Sequence, residues 1–535
     1  MRSRYVHYFI ITLLVVVAYL PVFTGDFVFD DPILIRDNSY ITQLQSLSSY
    51  LSQEDDGINN EQDKGIFHTG YYRPLINITY FLDYKLWGMK AYGFRTTNLL
   101  LHLLACFLLY ELLLNLTCRQ QEVFWAVLLF AVHPMHTETV SIIVSRNNIL
   151  VAIFSILSLH AYLIWWNKGA PLALAVSLFA FACAVFSKEF GLMVLPLFFL
   201  YQRILSEKKY IRREIESYIP YLFIILIYLI LRKTVVQIPL SIPDDIFLRI
   251  AYIPYLVFYN LKLIFLPYNM HSFSVVYPTS LLSPAVVWSF LLLLPLAIFL
   301  YVRRKDSLVI FSAASFIVTL LPVLNIINKA SVSLIAMRWL YMPMTFLTFG
   351  FVPLIMKVKL EEDRGRGVKQ FILLVAAVYL VAGSYTLNAY LWHDQETFLQ
   401  QEVLHFANEL YMGDYAEMLL KKKQYRKAEP FFQQSLKKSP LMARNFINYG
   451  ALLVETGRPQ EALEVLEKAR SITMGHKDRF GWNNNMGAAL TLMGNYKLAH
   501  EHIARALALE PLDVAAKNNL AYLLQREKQA KVAHQ

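Results

Sequence analysis

Apolar runs near residues 6–24, 94–115, 123–142, 148–166, 171–187, 190–205, 218–232, 284–302, 308–326, 339–356 and 369–390 constrain this chain more than any other feature. There are about eleven of them, and most approach the length a helix needs to cross a hydrocarbon core. Inside lipid every backbone N–H and C=O has to be paired within the segment, so each run is predicted to be a helix. Composition agrees: 56% of the 535 residues are hydrophobic and only 17% are charged. The mean hydropathy is +0.41. Residues 1–392 are therefore expected to form an all-α, polytopic membrane helix bundle of about eleven spans.

Basic residues fix the expected orientation. Arg2 and Arg4, Arg119, Lys168, the cluster RILSEKKYIRRE (203–214), Arg303 to Lys305 and KVKLEEDRGRGVK (357–369) fall in alternate loops, which the positive-inside rule assigns to the cytoplasm. The net charge of +11 is thus a topology signal, and no nucleic-acid partner is expected. The N-terminus is read as a cytoplasmic, uncleaved signal anchor. An odd number of spans puts the C-terminus outside. Two long segments, 25–93 and 233–283, fall on the outer side. The second contains LRIAYIPYLVFYNLKLIFLP, read as an interfacial or re-entrant helix. Cys106, Cys118 and Cys183 are widely spaced and form neither a metal signature nor a disulfide framework.

The pattern changes after residues 393–408, read as a linker. Residues 409–442, 443–476 and 480–513 repeat a small residue, an alanine, a large apolar residue and in two units a proline. Ala416, Ala428, Phe432 and Pro440 mark the first unit; Gly450, Ala462, Leu466 and Ala469 the second; Gly487, Ala499, Ile503, Ala506 and Pro511 the third. This is the period of tetratricopeptide repeats, an α-solenoid of helix pairs. Residues 514–527 read as its capping helix, within a repeat region running to 535.

Charges at the outer ends of spans are the candidate site, because ionised groups near lipid are costly unless paired or used. FVFDDPILIRDN offers Asp30 and Asp31, either a general base or a pair of turn and cap acids. Tyr72 and Arg73 stand in YYRPL, where a guanidinium grips phosphate bidentately or simply snorkels. FAVHPMHTETVSIIVSRNN brings His133, His136, Glu138 and Arg146. Its H-x-x-H-x-E spacing is broken by Pro134 and no H-E-x-x-H is present, so hydrogen bonding to a sugar or helix-end packing is preferred over a metal. VFSKEFG brings Lys188 and Glu189, a phosphate contact or a self-satisfied pair closing a turn. Arg338 and Tyr341 stand in RWLYMP. Arg73, Arg146, Lys188 and Arg338 are cations on the side that should be poor in them. With two carboxylates they describe a site for an anionic lipid phosphate and a base. Asn77-Ile78-Thr79 is a glycosylation sequon.

Those motifs, in that order and followed by the repeats, resemble the transmembrane and tetratricopeptide-repeat O-mannosyltransferase family of the GT-C glycosyltransferase superfamily. The resemblance implies a GT-C-like enzyme that moves a mannose-like hexose from a polyprenyl-phosphate donor, with inversion, to a hydroxyl outside the cytoplasm. It implies Asp30 or Asp31 as the base and Arg73, Arg146, Lys188 and Arg338 as donor contacts. Tyr72, His133, His136, Glu138, Glu189 and Tyr341 would touch sugar or acceptor. The short repeat array and an end, AKVAHQ, without a retention signal point to a prokaryotic relative in the plasma membrane. The partners expected are the lipid-linked sugar, the bilayer, and an acceptor protein held by the repeats. No metal site and no cofactor are expected, a divalent metal staying open. The acceptor is also open: a glycolipid or surface polysaccharide fits the same chemistry. A non-enzymatic membrane-anchored scaffold is the rival outside enzymology. A lipid-sugar transporter fits poorly, since few charges lie at span centres.

Overall fold

The computed structural model describes residues 2–42, 71–117, 119–207, 211–236, 246–272, 280–324, 326, 334–357, 364–408, 411–438, 440, 442–472 and 474–533. Every candidate site residue lies among them. Residues 43–70, 237–245, 273–279 and 327–333 of the expected outer segments, and Cys118, lie outside the described residues.

Among the described residues the chain is helical and has no strand. It divides into two compact units, one reaching Phe398 and the other running from Leu399 to the C-terminus. The first contains α1 (Arg2–Tyr19), α2 (Pro74–Trp87), α3 (Ala91–Thr117), α4 (Gln120–Ala131), α5 (Arg146–Lys168), α6 (Pro171–Ser187), α7 (Ile211–Val235), α8 (Ile253–Phe265), α9 (Pro284–Val302), α10 (Ser307–Leu320), α11 (Tyr341–Lys357) and α12 (Arg364–Tyr390). Proline at the first helical position starts α2, α6 and α9, where its missing N–H has no intrahelical partner to lose. Gly169, left-handed at φ +72°, ends α5.

Six described helices are long and apolar enough to cross a membrane, or seven if the bent pair 120–131 and 134–141 counts as one span. The chain is thus a multi-pass membrane protein. Each of the other four expected runs is helical as well, but short or broken. α6 and α11 have 17 residues each. Pro171–Ser187 and Ser307–Val323 fall short of a full span. Residues 190–205 break into a 3-10 turn at Glu189–Met193, an α-helix at Val194–Leu200 and a π turn at Tyr201–Leu205. The 13-residue α8, on the apolar segment expected to lie outside, is too short to span.

The centre of this unit is the break after α4. The chain bends by 49° at Pro134. Every residue from Phe130 to Ile143 is buried, although the stretch holds two histidines and a glutamate. A broken helix exposes carbonyls that lipid cannot satisfy, and side chains from other helices satisfy them here. Ser384 Oγ of α12 donates to Val132 O at 2.8 Å, and Asn98 Nδ2 of α3 donates to Val140 O at 3.1 Å. Trp392 Nε1 donates to Thr137 Oγ1, and Ser141 Oγ to Asn388 Oδ1.

The second unit stacks helix pairs: α13 (Met412–Lys421) with α14 (Tyr425–Lys438), α15 (Ala443–Glu455) with α16 (Pro459–Ala469), and α17 (His476–Leu492) with α18 (Tyr496–Leu509), closed by α19 (Val514–Ala533). The small residues of the period sit where the pairs cross. A Cβ at Gly450 would overlap Leu466, and one at Gly487 would overlap Ile503, so both positions need glycine for the partner helix to approach. Ala428, Phe432, Ala462, Leu466, Ala499 and Ile503 are fully buried between the helices of their pairs.

Candidate active site

The two adjacent aspartates do different things. Phe29 adopts a left-handed conformation, φ +64°, and its N–H donates to Gln395 Oε1 at 2.7 Å. This kink turns Asp30 to the exposed side. Asp31 is completely buried and accepts the backbone N–H of Ile143 at 3.1 Å and of Val144 at 2.9 Å. It therefore caps the 3-10 turn Ile143–Ser145 that leads into α5. Burial pushes the Asp31 carboxyl up to about 7, against the two amides and Arg95, which pull it down.

The four expected cations separate in the same way. Arg146 is fully buried at the start of α5 and donates to Asn98 Oδ1 at 2.6 Å, Thr79 Oγ1 at 3.1 Å, Phe94 O at 3.1 Å and the Asp83 carboxylate. With Tyr80 also beneath its guanidinium, this arginine is held on all sides by α2 and α3. Arg73 forks onto Glu189, Nε to Oε2 at 3.1 Å and Nη2 to Oε1 at 2.6 Å, and lies 3.9 Å from the centre of the Tyr71 ring. Lys188 Nζ donates to Asn148 Oδ1 at 2.6 Å and sits 3.9 Å from the Phe190 ring centre. Arg338 donates its backbone N–H to Glu138 Oε2 at 2.9 Å and its guanidinium to Oε1. Glu189 thus pairs with Arg73 rather than with its neighbour Lys188.

Arg73, Lys188 and Arg338 share one field. Burial first, and then the charges of Arg73 and Arg338, press the Lys188 ammonium well below the ordinary lysine range, with Glu189 opposing. Burial would raise Glu189, but Arg73 and Lys188 outweigh it and hold the carboxylate ionised. Arg338 also lies 5.2 Å from the ring centre of Phe29, the residue before Asp30. Asp30 is thereby next in sequence to the ring under Arg338, and the charges of Arg73 and Arg338 both act on Lys188.

The remaining candidates are packed. Tyr341 is buried and its hydroxyl meets His102 Nδ1 at 2.7 Å. His133 receives the Met135 N–H on Nδ1 and, as the neutral Nε2–H tautomer, donates to Ile264 O at 2.9 Å. His136 packs against Phe130 and Tyr341, with ring centres 4.4 and 4.7 Å away. Tyr72 is buried beside Phe186 and Tyr228. Among the described residues no three His, Cys, Asp or Glu side chains are grouped to hold a metal. An apolar cleft of about 350 Å³ opens beside His133, lined by α4, α8, α11 and α12 residues including Ile264, Met344 and Tyr379.

Asp83, Asn98, Asn148 and Arg95 were not among the candidates, yet each sets a neighbour in place. Asp83 carried a usable signal, an acid in the apolar helix PLINITYFLDYKLW. The amides carried none.

The fold and site thus define a polytopic, all-helical membrane protein with a cation cluster at helix ends and a helical-repeat unit. Among curated proteins, the chain is 32% identical over 191 residues to Protein O-mannosyl-transferase F38B6.6 of Caenorhabditis elegans, covering 35% of this chain and 26% of that protein. It is 34% identical over 146 residues to the human Protein O-mannosyl-transferase TMTC1, covering 24% and 16%. Mouse Protein O-mannosyl-transferase TMTC4 matches at 31% over 197 residues, covering 33% and 26%. These relatives come from the family that the sequence motifs resemble. The chain spans about a quarter or less of their length. No family model matches the chain. Among solved structures, ArnT from Cupriavidus metallidurans, crystallised with undecaprenyl phosphate, aligns with 92% of this chain and 76% of its own, at 12% identity and a TM-score of 0.40.

Proposed function

We propose that this protein is an inverting glycosyltransferase that moves a mannose-like hexose from a polyprenyl-phosphate donor to a Ser or Thr hydroxyl of a protein outside the cytoplasm. One observation carries the reading: Lys188 is buried, and the charges of Arg73 and Arg338 both reach it and add to the burial that lowers its affinity for a proton. Buried like charges are costly, and an anion shared by all three relieves that cost. A lipid phosphate is such an anion, and its negative charge grows as it leaves the sugar.

In this reading Arg73, Lys188 and Arg338 bind the donor phosphate, with Glu189 and Glu138 aiming the two guanidinium groups. Asp30, exposed beside the ring under Arg338, takes the proton of the acceptor hydroxyl. The oxygen attacks the sugar from the face opposite the phosphate, which gives inversion. The phosphate departs as an anion, so no general acid is required. Asp31 and Arg146 serve the scaffold. The N-terminus lies in the cytoplasm, while the site and the repeats lie outside. Residues 1–392 form the transferase part and 409–535 the repeats, which present the acceptor.

The test is transfer by the purified protein from polyprenyl-phosphate mannose and glucose, supplied separately, to extracytoplasmic protein. Mass spectrometry then looks for hexose on Ser or Thr. Hexose that disappears in Asp30→Asn supports the reading. Hexose found only on a glycolipid moves the acceptor, and no transfer from either donor returns the chain to a membrane-anchored scaffold.

A further inference from the structure

The loop that carries Asp30 is built on the chain that follows α12. Thr24 Oγ1 meets His393 Nε2 at 3.2 Å, and the Asp26 N–H donates to His393 O at 3.1 Å. A Cβ at Gly25 would fall 1.9 Å from that same carbonyl oxygen, so glycine is what lets the two backbones approach this closely. Asp394 Oδ1 accepts the Thr397 N–H at 2.8 Å and so fixes the start of the short helix Gln395–Gln400. From the first residue of that helix, the Gln395 side chain reaches Phe29, 366 residues away in sequence, and accepts its N–H. The Phe29 ring packs edge-on to Phe398, with ring centres 5.7 Å apart and planes at 84°, and Phe398 stacks on Trp392.

We infer that Gln395 is a positioning residue: by holding Phe29 in its left-handed conformation, it keeps the Asp30 carboxylate exposed. A phenylalanine at φ +64° is strained and relaxes to negative φ unless its surroundings hold it. Here Gln395 Oε1 fixes the peptide N–H and Phe398 fixes the ring. On the other side of Asp30, the buried Asp31 is tied to the N–H groups of Ile143 and Val144. Asp30 thus stands between two anchors, and only the one at Phe29 works against strain. Releasing Phe29 swings the peptide that joins it to Asp30 and turns that carboxylate inward, while Asp31 stays where it is. Arg338 stays as well, because Glu138 holds it independently. The inference rests on the proposed function only for what Asp30 does there, as a base that must come within hydrogen-bond reach of the acceptor hydroxyl. The exposure of Asp30 needs no transfer.

The experiment uses the full chain in detergent or nanodiscs. A carbodiimide with glycine ethyl ester converts exposed carboxylates to amides, and fragment mass spectrometry reads each site. In the parent protein Asp30 should be modified and Asp31 spared. In Gln395→Leu, which keeps the bulk and removes the acceptor, modification of Asp30 should fall severalfold. Under the proposed function the same variant should lose about tenfold in kcat while the donor KM stays within about twofold. Gln395→Glu, which keeps an acceptor oxygen at the same reach, should recover most of both the footprint and kcat. If Gln395→Leu folds poorly, Gln395→Asn, polar but one methylene too short, carries the same expectation. Asp30 spared in the parent protein, or modified equally in parent and variant whatever the transfer rate, overturns the inference. A footprint lost in the variant with kcat unchanged, or with no transfer even by the parent protein, supports the anchor and overturns the proposed role of Asp30 alone.

Discussion

Glu138 accepts both the backbone N–H of Arg338, at 2.9 Å, and its guanidinium, across 200 residues of sequence. The glutamate is fully buried and the arginine side chain only 15% exposed, so neither has water to fall back on. Breaking one side of such a pair costs about 3–5 kcal/mol. Glu138→Gln should lower the melting temperature in detergent and free Arg338 to wander. Under the proposed function, the donor KM of the surviving folded protein rises more than its kcat falls. Unchanged melting together with an unchanged KM would mean that the pair orders nothing.

Asp30 and Asp31 should respond oppositely to the same substitution. Asp30→Asn leaves an exposed position exposed, and is expected to cut kcat while the melting temperature stays put. Asp31→Asn turns an amide N–H toward Ile143 N–H or Val144 N–H, leaving a buried donor unpaired at a cost of about 1–3 kcal/mol. The parent protein should also lose stability as pH rises from about 4 to about 7. Over that range the unfolded chain has released the Asp31 proton and the folded chain still holds it. Asp31→Asn should remove that slope. Melting curves across pH would contradict the assignment if Asp30→Asn, and not Asp31→Asn, altered it.

That difference between neighbours was out of reach of the sequence. FVFDDPILIRDN marks both acids as unusual, but only the contact with residues 143–144 buries one of them. The same holds for the cations. Arg73 and Arg146 looked alike, each an arginine at a helix start on the side where the positive-inside rule expects few cations. Their partners, Glu189 and Asp83, lie 116 and 63 residues away. Spacing reports contacts within a helix and is silent across such distances. Helix formation and the repeat register depend on local periodicity, and these were legible. The break at Pro134 was visible as a proline, but not the donors from Asn98 and Ser384 that make it tolerable.

Lys188 sets a pH limit. Its ammonium loses its proton more readily than an ordinary lysine because of burial and the charges of Arg73 and Arg338. A group of this sign is charged below its lowered pKa and neutral above it. Under the proposed function, donor affinity falls on the alkaline side as Lys188 goes neutral. Asn148→Asp puts a carboxylate where Nζ now meets an amide oxygen at 2.6 Å, and should move that limb to higher pH. Lys188→Arg, always charged, should flatten it. Profiles of kcat/KM for the three proteins that superimpose would remove Lys188 from the donor site.

Arg95 is the strongest structural prediction, and nothing about its position at the start of α3 announces it. Its guanidinium donates to Ser141 O at 3.1 Å, Val22 O at 2.6 Å, Asp26 O at 2.6 Å, Trp392 O at 3.1 Å and His393 O at 3.3 Å. These carbonyls come from the end of α1, the loop before Asp30, the bent segment after α4 and the end of α12. One rigid planar fork thus joins four stretches of chain around the site. An ammonium has three donors and no plane, so Arg95→Lys cannot reach them all. Each carbonyl left bare costs about 1–3 kcal/mol. Arg95→Lys is therefore expected to be nearly as damaging as Arg95→Ala. Both should show low yield and early melting, whereas Arg36→Lys, at an exposed position, should not. A lysine variant that melts with the parent protein would show that these carbonyls find other donors and that the fork is dispensable.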